Sequence, residues 1–248
     1  FGNPERSRVT LSHDGKNLAW RAPQDGVMNI WVAPASEAKA GRCITADKGR
    51  GIRQYQWAYN GNLLYVQDDG GDENWKVYSI DVSGGAAKDL TPFTEIKGPD
   101  GQPIKINGKV LRPRAEIEET SPAFPDEIII GLNNRNPQRS DLYRCNIKTG
   151  ELKLIQKNDE YDAFLADDSF AVRMAVQTQA DGSVKVLKAD DNGSFATVET
   201  IPQEDALTAQ PAGFDASGET LYWSDTRGRD TAGLFAQNVK TGEKKLLA

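Results

Sequence analysis

Residues 8–32 read RVTLSHDGKNLAWRAPQDGVMNIWV and carry the pattern that decides the fold. A short extended segment leads to the pair Asp14-Gly15, and an apolar segment, a polar loop and a third segment around Trp31 follow. Glycine readily takes the positive φ that a tight hairpin turn needs, so the Asp-Gly pair predicts two antiparallel strands joined by a short turn. The stretch therefore predicts a meander of β-strands.

The same pattern returns along the chain with a period of about 45 residues, a length typical of propellers and solenoids. Each repeat has a third strand that carries a large apolar or aromatic anchor. These anchors are Trp31, Tyr78, Tyr143, Val186 and Phe235. The interval between the second and third anchors is longer than the others, and residues 94–116 account for the excess.

The repeats are predicted at about residues 7–46, 52–93, 117–156, 161–202 and 209–248. Residues 94–116 are predicted to form an insertion loop with a hairpin at Asn107-Gly108, and residues 121–124 to form the first strand of the third repeat. Second strands such as Ile128-Ile129-Ile130 are apolar on both faces, as expected for a sheet between two neighbouring sheets. We predict an all-β fold, a single β-propeller domain of four-stranded antiparallel blades. A solenoid is the alternative, but its repeats are usually shorter.

Composition excludes several functional classes. The 248 residues carry a formal net charge of −6, which disfavours a nucleic-acid partner. No apolar run approaches 18 residues, so no membrane partner is expected. Cys43 and Cys145 lack the spacing of metal ligands and the density of a disulfide scaffold, and we expect free thiols. No cofactor is expected, and no targeting segment is visible that would fix the compartment.

The chain offers no catalytic constellation. No serine lies in a G-x-S-x-G nucleophile elbow, and the single histidine, His13, lies in a predicted hairpin turn. Asp68, Asp69 and Asp72 form the most acidic loop and are weak candidates for a calcium site, although their order does not match an EF-hand. A solvated loop is the alternative interpretation. We therefore predict neither catalysis nor a metal in this chain.

Longer strings resemble a known family. FGNPERSRVTLSHDGK, YQWAYNGNLLYVQDDGGDENWKVYSIDV and PDEIIIGLNNRNPQRSDLYRCNIKTGELKLI resemble the N-terminal propeller of prolyl oligopeptidase-family serine peptidases. The resemblance is to the bacterial acylaminoacyl-peptidase and dipeptidyl-peptidase-like branch, with TolB-like repeats. It implies a catalytic α/β-hydrolase domain in the same polypeptide, peptide substrates, and a propeller that gates the access of short peptides. It leaves open a periplasmic, secreted or cytoplasmic location.

The resemblance also implies substrate contacts. Dipeptidyl-peptidase members use paired propeller glutamates to bind the free amino terminus of the substrate. Glu118 and Glu119 are the candidates here, although their string AEIEET departs from the family's glutamate motif. Arginines predicted in loops between second and third strands are candidates for contacts with a peptide carboxylate or a catalytic domain. They are Arg135, Arg139, Arg227 and Arg229. Ordinary surface charge is the alternative for all six.

The number of repeats generates a further expectation. The resembling propellers have seven or more blades, whereas five are visible here, so the propeller is expected to be incomplete. An apolar face at each end would then recruit further blades or another copy of the chain. The alternative function is a stand-alone TolB-like interaction propeller, and a carbohydrate-active propeller is a third option that lacks the paired acids it needs.

Overall fold

The computed structural model describes residues 4–190 and 192–248, so the first three residues of the string FGNPERS and residue 191 within the fourth repeat lie outside the described part. The described chain forms five four-stranded antiparallel sheets and one two-stranded hairpin. In every four-stranded sheet the strands follow one another in chain order. The predicted all-β propeller fold with four-stranded blades is confirmed. The chain divides into two compact units, Phe1–Lys157 and Asn158–Ala248.

The first unit contains three blades and the hairpin. The first blade comprises β1 (Ser7–Leu11), β2 (Asn17–Gln24), β3 (Val27–Pro34) and β4 (Arg42–Cys43), with a 3-10 segment at Ala35–Ala40. The second comprises β5 (Gln54–Trp57), β6 (Leu63–Gln67), β7 (Lys76–Ile80) and β8 (Lys88–Asp89). The hairpin is β9 (Lys105–Ile106) and β10 (Lys109–Val110). The third blade comprises β11 (Ala115–Thr120), β12 (Glu127–Asn136), β13 (Arg139–Asn146) and β14 (Leu152–Gln156).

The second unit contains the remaining two blades. The fourth comprises β15 (Ala163–Ala166), β16 (Val172–Thr178), β17 (Val184–Ala189) and β18 (Phe195–Ile201), followed by a 3-10 segment at Gln203–Asp205. The fifth comprises β19 (Gln210–Phe214), β20 (Thr220–Asp225), β21 (Gly233–Asn238) and β22 (Lys244–Leu246). In the described residues, no helix is long and apolar enough to span a bilayer.

The hairpin turns repeat one hydrogen-bonded motif. In the first blade the N–H of Gly15 donates to the carbonyl of Ser12 at 2.9 Å, and the N–H of Lys16 donates to Asp14 Oδ1 at 3.1 Å. The φ of Gly15 is +73°, in the left-handed region that favours glycine. The second blade repeats the turn, with the N–H of Gly61 donating to the carbonyl of Ala58 at 3.1 Å. The Asp-Gly and Asn-Gly pairs thus form the turns that the sequence predicts.

The core lies between successive sheets. Ile128 and Ile130 are fully buried and pack with Leu64 and Val77 of the second blade. Ile129 lies between them in the strand and is also fully buried, and alternate residues of a strand point to opposite faces. In the second unit, Trp223 is fully buried in the cluster that joins the fourth and fifth blades. Both faces of a blade are therefore packing surfaces.

The outer faces of the first and fifth blades differ. In the fifth blade, Leu221 and Trp223 share the buried face, whereas Leu234 is 44% exposed. In the first blade, Trp20 is buried, lies against Gly41 and has the Arg6 guanidinium 5.0 Å from its ring centroid. Trp20 is therefore covered within its own blade, and the incomplete propeller with an apolar face at each end stays a prediction. Self-association through the Leu234 face stays a prediction.

The insertion ends earlier than the sequence predicts. The first strand of the third blade is β11 (Ala115–Thr120), and residues 121–124 form a turn in which the N–H of Phe124 faces the carbonyl of Ser121 at 3.3 Å. Pro122 and Pro125 lack a backbone N–H and disfavour a paired strand there. The prediction of a strand at residues 121–124 is wrong, and residues 115 and 116 belong to the blade. The hairpin at Asn107-Gly108 is confirmed.

Replacement of a core isoleucine tests the packing between blades. Ile130→Ala should lower the free energy of unfolding by about 2–5 kcal/mol, because it removes buried methyl groups and leaves a cavity. Ile106→Ala is the matched control, since Ile106 is 56% exposed and its replacement should cost about 0.5 kcal/mol or less. Urea denaturation of the two variants measures the difference, and equal losses would contradict the packing described.

Candidate functional site

A cleft of about 520 Å³ runs along the first strands of the three blades in the first unit, and we call it the charged cleft. Its charged lining residues are Arg8, Arg53, Arg114 and Glu116. Its uncharged lining residues are Gln54, Tyr55, Gln56, Tyr65, Val66, Trp75, Ala115 and Ile117. Its volume falls within the range of about 300–1,000 Å³ that small-ligand sites occupy. The cleft is therefore large enough for a short peptide segment.

Glutamates of β11 form the acidic side of this region. The pairing of β11 with β12 shifts between Ile117 and Glu119, so Glu118 is the extra residue of a β-bulge. A Cβ at Gly131 would lie 2.3 Å from Glu118 Oε1 and 3.3 Å from Glu116 Cγ. Because Gly131 has no side chain, both glutamates can lie over the neighbouring strand. The side chains of Glu116 and Glu118 thus lie close together above Gly131.

The pKa of Glu118 is raised to about 7, first by desolvation and then by the negative charges of Glu116 and Glu119. The side chain remains accessible to solvent, so water screens part of this effect. The raised pKa means that it costs free energy to ionise Glu116, Glu118 and Glu119 together. Binding a proton or another cation at these three side chains lowers that cost. Glu119 also accepts a hydrogen bond from the N–H of Thr120 at 3.1 Å.

Glu116 and the arginines of the charged cleft are absent from the site residues that the sequence predicts. Glu116 precedes Glu118 by two residues, the spacing that places strand residues on one face, and this spacing could have identified it. Arg8 belongs to β1, Arg53 directly precedes β5 and Arg114 directly precedes β11. A recurrent arginine at the start of the first strand was the available signal.

Arg135 is held inside its own hairpin. Its guanidinium makes two hydrogen bonds of 2.7 Å to the carboxylate of Asp141, which is buried. Arg135 and Arg139 lie in β12 and β13 rather than in a loop, because only Pro137 and Gln138 separate the two strands. The prediction of a loop position is wrong for both, and the bidentate pairing gives Arg135 a structural role.

Arg227 is held by carboxylates of the second unit. It contacts Asp225 Oδ2 and Glu199 Oε1, each at 2.5 Å, and Lys244 approaches the same two acids at 3.3 Å. Arg227 lowers the pKa of Asp225 far below its usual range by hydrogen bonding. Arg229 is exposed in the loop between β20 and β21. Within the first unit, Arg135 and Arg139 do not line the charged cleft.

The acidic loop uses its carboxylates in ion pairs. Asp68 pairs with Arg50 at 2.9 Å, while Asp69 and Asp72 approach Arg112 at 3.5 and 3.3 Å. In the part of the chain that the structure describes, no group of three or more His, Cys, Asp or Glu side chains is placed to hold a metal ion. The three aspartates therefore serve to fix the loop.

The two cysteines are free thiols, as the sequence predicts. Cys43 is half-buried on β4 and Cys145 is buried on β13. Burial raises the pKa of Cys145 to about 12, so its reactive thiolate form is strongly disfavoured at neutral pH. Neither residue contributes to the charged cleft.

Comparison with known proteins identifies relatives along the whole chain. Dipeptidyl aminopeptidase BIII from Pseudoxanthomonas mexicana is 40% identical over 249 residues, which are 100% of this chain and 34% of that protein. Dipeptidyl peptidase family member 6 from Caenorhabditis elegans is 28% identical over 99% of this chain and 33% of its own length. The chain thus spans about a third of the length of these curated relatives. No protein-family model matches it.

A solved structure supports the fold assignment. Oligopeptidase B from Leishmania major superposes on 97% of this chain and 33% of its own chain, with a TM-score of 0.56 at 10% identity. Together with the curated relatives, this match confirms the resemblance to the propeller of a prolyl oligopeptidase-family peptidase.

The pH dependence of stability tests the glutamate cluster. Between pH 4.5 and 7 the folded chain retains the Glu118 proton that the unfolded chain has lost. The free energy of unfolding of the wild-type chain therefore decreases through Glu118 as pH rises across this range. Glu118→Gln removes this penalty, and its stability relative to wild type should increase from pH 4.5 to pH 8. Urea midpoints at both pH values measure it. Glu151→Gln, in the turn before β14, should show no such increase, and equal behaviour of the two variants would contradict the cluster.

Proposed function

We propose from these relatives that the chain is the non-catalytic propeller of a longer serine peptidase. In this proposal it gates the access of short peptides to a separate α/β-hydrolase domain. The observation that carries the proposal is the placement of Glu116 and Glu118 together over Gly131, beside the charged cleft. The relatives that span the whole chain are named as dipeptidyl peptidases, which supports a peptide as the ligand.

The glutamates would bind the ammonium group of a free peptide amino terminus. Hydrogen bonds between charged partners are about twice as strong as those between neutral ones. The repulsion among Glu116, Glu118 and Glu119 costs free energy when all three are ionised, and a bound ammonium relieves it. The same features that raise the pKa of Glu118 in the free chain therefore favour a cationic ligand.

A separate domain would supply the chemistry. This sequence has no G-x-S-x-G nucleophile elbow, and its single histidine, His13, is stacked on Tyr59 with a centroid distance of 3.8 Å. The role left to the propeller is to bind and to filter peptides. A stand-alone interaction propeller would lack the partner domain, so a continuation of the reading frame with a G-x-S-x-G motif separates the two functions.

Kinetics of the longer polypeptide test the glutamate role. Glu118→Gln should lower kcat/KM for a dipeptidyl p-nitroanilide with a free amino terminus by about 10- to 100-fold, because a hydrogen bond to a charged group contributes about 1.5–3 kcal/mol. The N-acetylated substrate, which lacks the ammonium, should be unaffected by the substitution. Glu151→Gln is the control of equal charge change.

Two outcomes would contradict the proposal. An equal loss on the free and acetylated substrates would show that Glu118 does not recognise the amino terminus. Hydrolysis by the 248-residue chain alone that disappears when one of its serines is replaced would show that the propeller is itself catalytic.

A further inference from the structure

Four arginines gather at the charged cleft without a carboxylate partner. Arg8, Arg53 and Arg114 line it, and the guanidinium of Arg21 donates a hydrogen bond to the backbone carbonyl of Arg53. Within residues 4–190 and 192–248, no ion pair includes any of the four. By contrast, Arg135 is bound bidentately by an acid.

The positive charges of the cluster oppose one another. Desolvation lowers the pKa of Arg21, and the charge of Arg8 lowers it further. The Nε of Arg21 is buried and has no hydrogen-bond partner. Positive charges that lie close together in a partly desolvated environment cost free energy, and a bound anion reduces that cost. The cluster therefore has unused capacity to bind a negative group.

The backbone holds Arg8 in an unfavourable conformation. Its φ is +51°, in the left-handed region that residues other than glycine rarely adopt, and the pairing of β1 with β2 shifts at this point. The hydroxyl of Tyr55 contacts the carbonyl of Arg8 and fixes it against the second blade. Conformations of this kind persist where surrounding contacts enforce them, and they cluster at ligand sites.

The other lining groups fit an extended organic anion rather than a small ion. The Trp75 ring lies 5.7 Å from the guanidinium carbon of Arg53 and supplies flat surface, while Tyr55 and Tyr65 line the cleft with side chains that are largely buried in the core. Gln54 and Gln56 add amide donors and acceptors on alternate positions of β5. Guanidinium groups match the planar, two-oxygen geometry of a carboxylate.

We propose that the charged cleft is a carboxylate-binding site in which Arg8, Arg53 and Arg114 bind the C-terminal or an acidic side-chain carboxylate of a short peptide. The choice of a peptide as the bearer of the carboxylate rests on the proposed function, whereas the arginine site itself does not. Glu116 lines the same cleft, but the arginines and the glutamates are different side chains that recognise opposite charges, so each can be tested alone.

Calorimetric titration of the 248-residue chain with three probes tests the site. Acetyl-Ala-Ala-Ala carries a terminal carboxylate, acetyl-Ala-Asp-Ala amide carries a side-chain carboxylate, and acetyl-Ala-Ala-Ala amide carries none. All three lack an ammonium group, so failure here would leave the glutamate proposal standing. At least one carboxylate probe should bind at least tenfold more tightly than the neutral amide. The tighter of the two carboxylate probes shows whether a terminal or a side-chain carboxylate is preferred.

Variants assign the binding to the arginines. Arg53→Gln and Arg114→Gln should each weaken carboxylate binding about tenfold or more, while Lys153→Gln on the outer strand β14 removes the same charge and should have no effect. The backbone carbonyl of Arg53 and the backbone N–H of Arg114 make the local hydrogen bonds, so the substitutions leave those bonds in place. Arg53→Lys keeps the positive charge but lacks the planar guanidinium group, and it should weaken carboxylate binding less than Arg53→Gln. Equal binding of the neutral amide, or wild-type affinity in both glutamine variants, would overturn the proposal.

Discussion

Each blade must bury both faces of one four-stranded sheet, and this constraint determines where the remaining chemistry can lie. Ile128, Ile129 and Ile130 fill both faces of β12 and are all fully buried. The second strands of the sheets are therefore committed to packing. The first strand is an edge strand with one unpaired flank, so it can carry charged side chains without burying them. The charged cleft consists mainly of residues in or beside such strands.

Two local irregularities shape the acidic side of the cleft. The bulge at Glu118 changes the register of β11, and the glycine at position 131 leaves room for the displaced carboxylate. A side chain at Gly131 would clash with Glu118, whereas Ile128 and Ile130 pack with Leu64 and Val77 of the second blade. The glutamate cluster thus depends on a glycine of the neighbouring strand, although that glycine contributes no functional group.

The sequence predicted the repeating fold because turn chemistry and strand patterning are local signals. Gly15 and Gly61 form the expected turns, and the strand at Ile128 is apolar on both sides as predicted. The first strand of the third blade was misplaced because AEIEET contains four polar residues in six, a pattern of an edge strand that resembles a loop. The recurrent arginine at the first strands was a local signal, but it could not show that Arg8, Arg53 and Arg114 line one cleft, because they are distant in sequence and meet only when successive blades pack together.

We propose that the first strands of the first unit form a peptide-binding surface with acidic and basic sides. Titration of the isotope-labelled 248-residue chain with unmodified Ala-Ala-Ala, followed by amide chemical shifts, tests it most directly. The largest changes in amide chemical shift are expected in β5 (Gln54–Trp57) and β11 (Ala115–Thr120). Changes confined to the outer strands β8 and β14, or no saturable change at any residue, would contradict it.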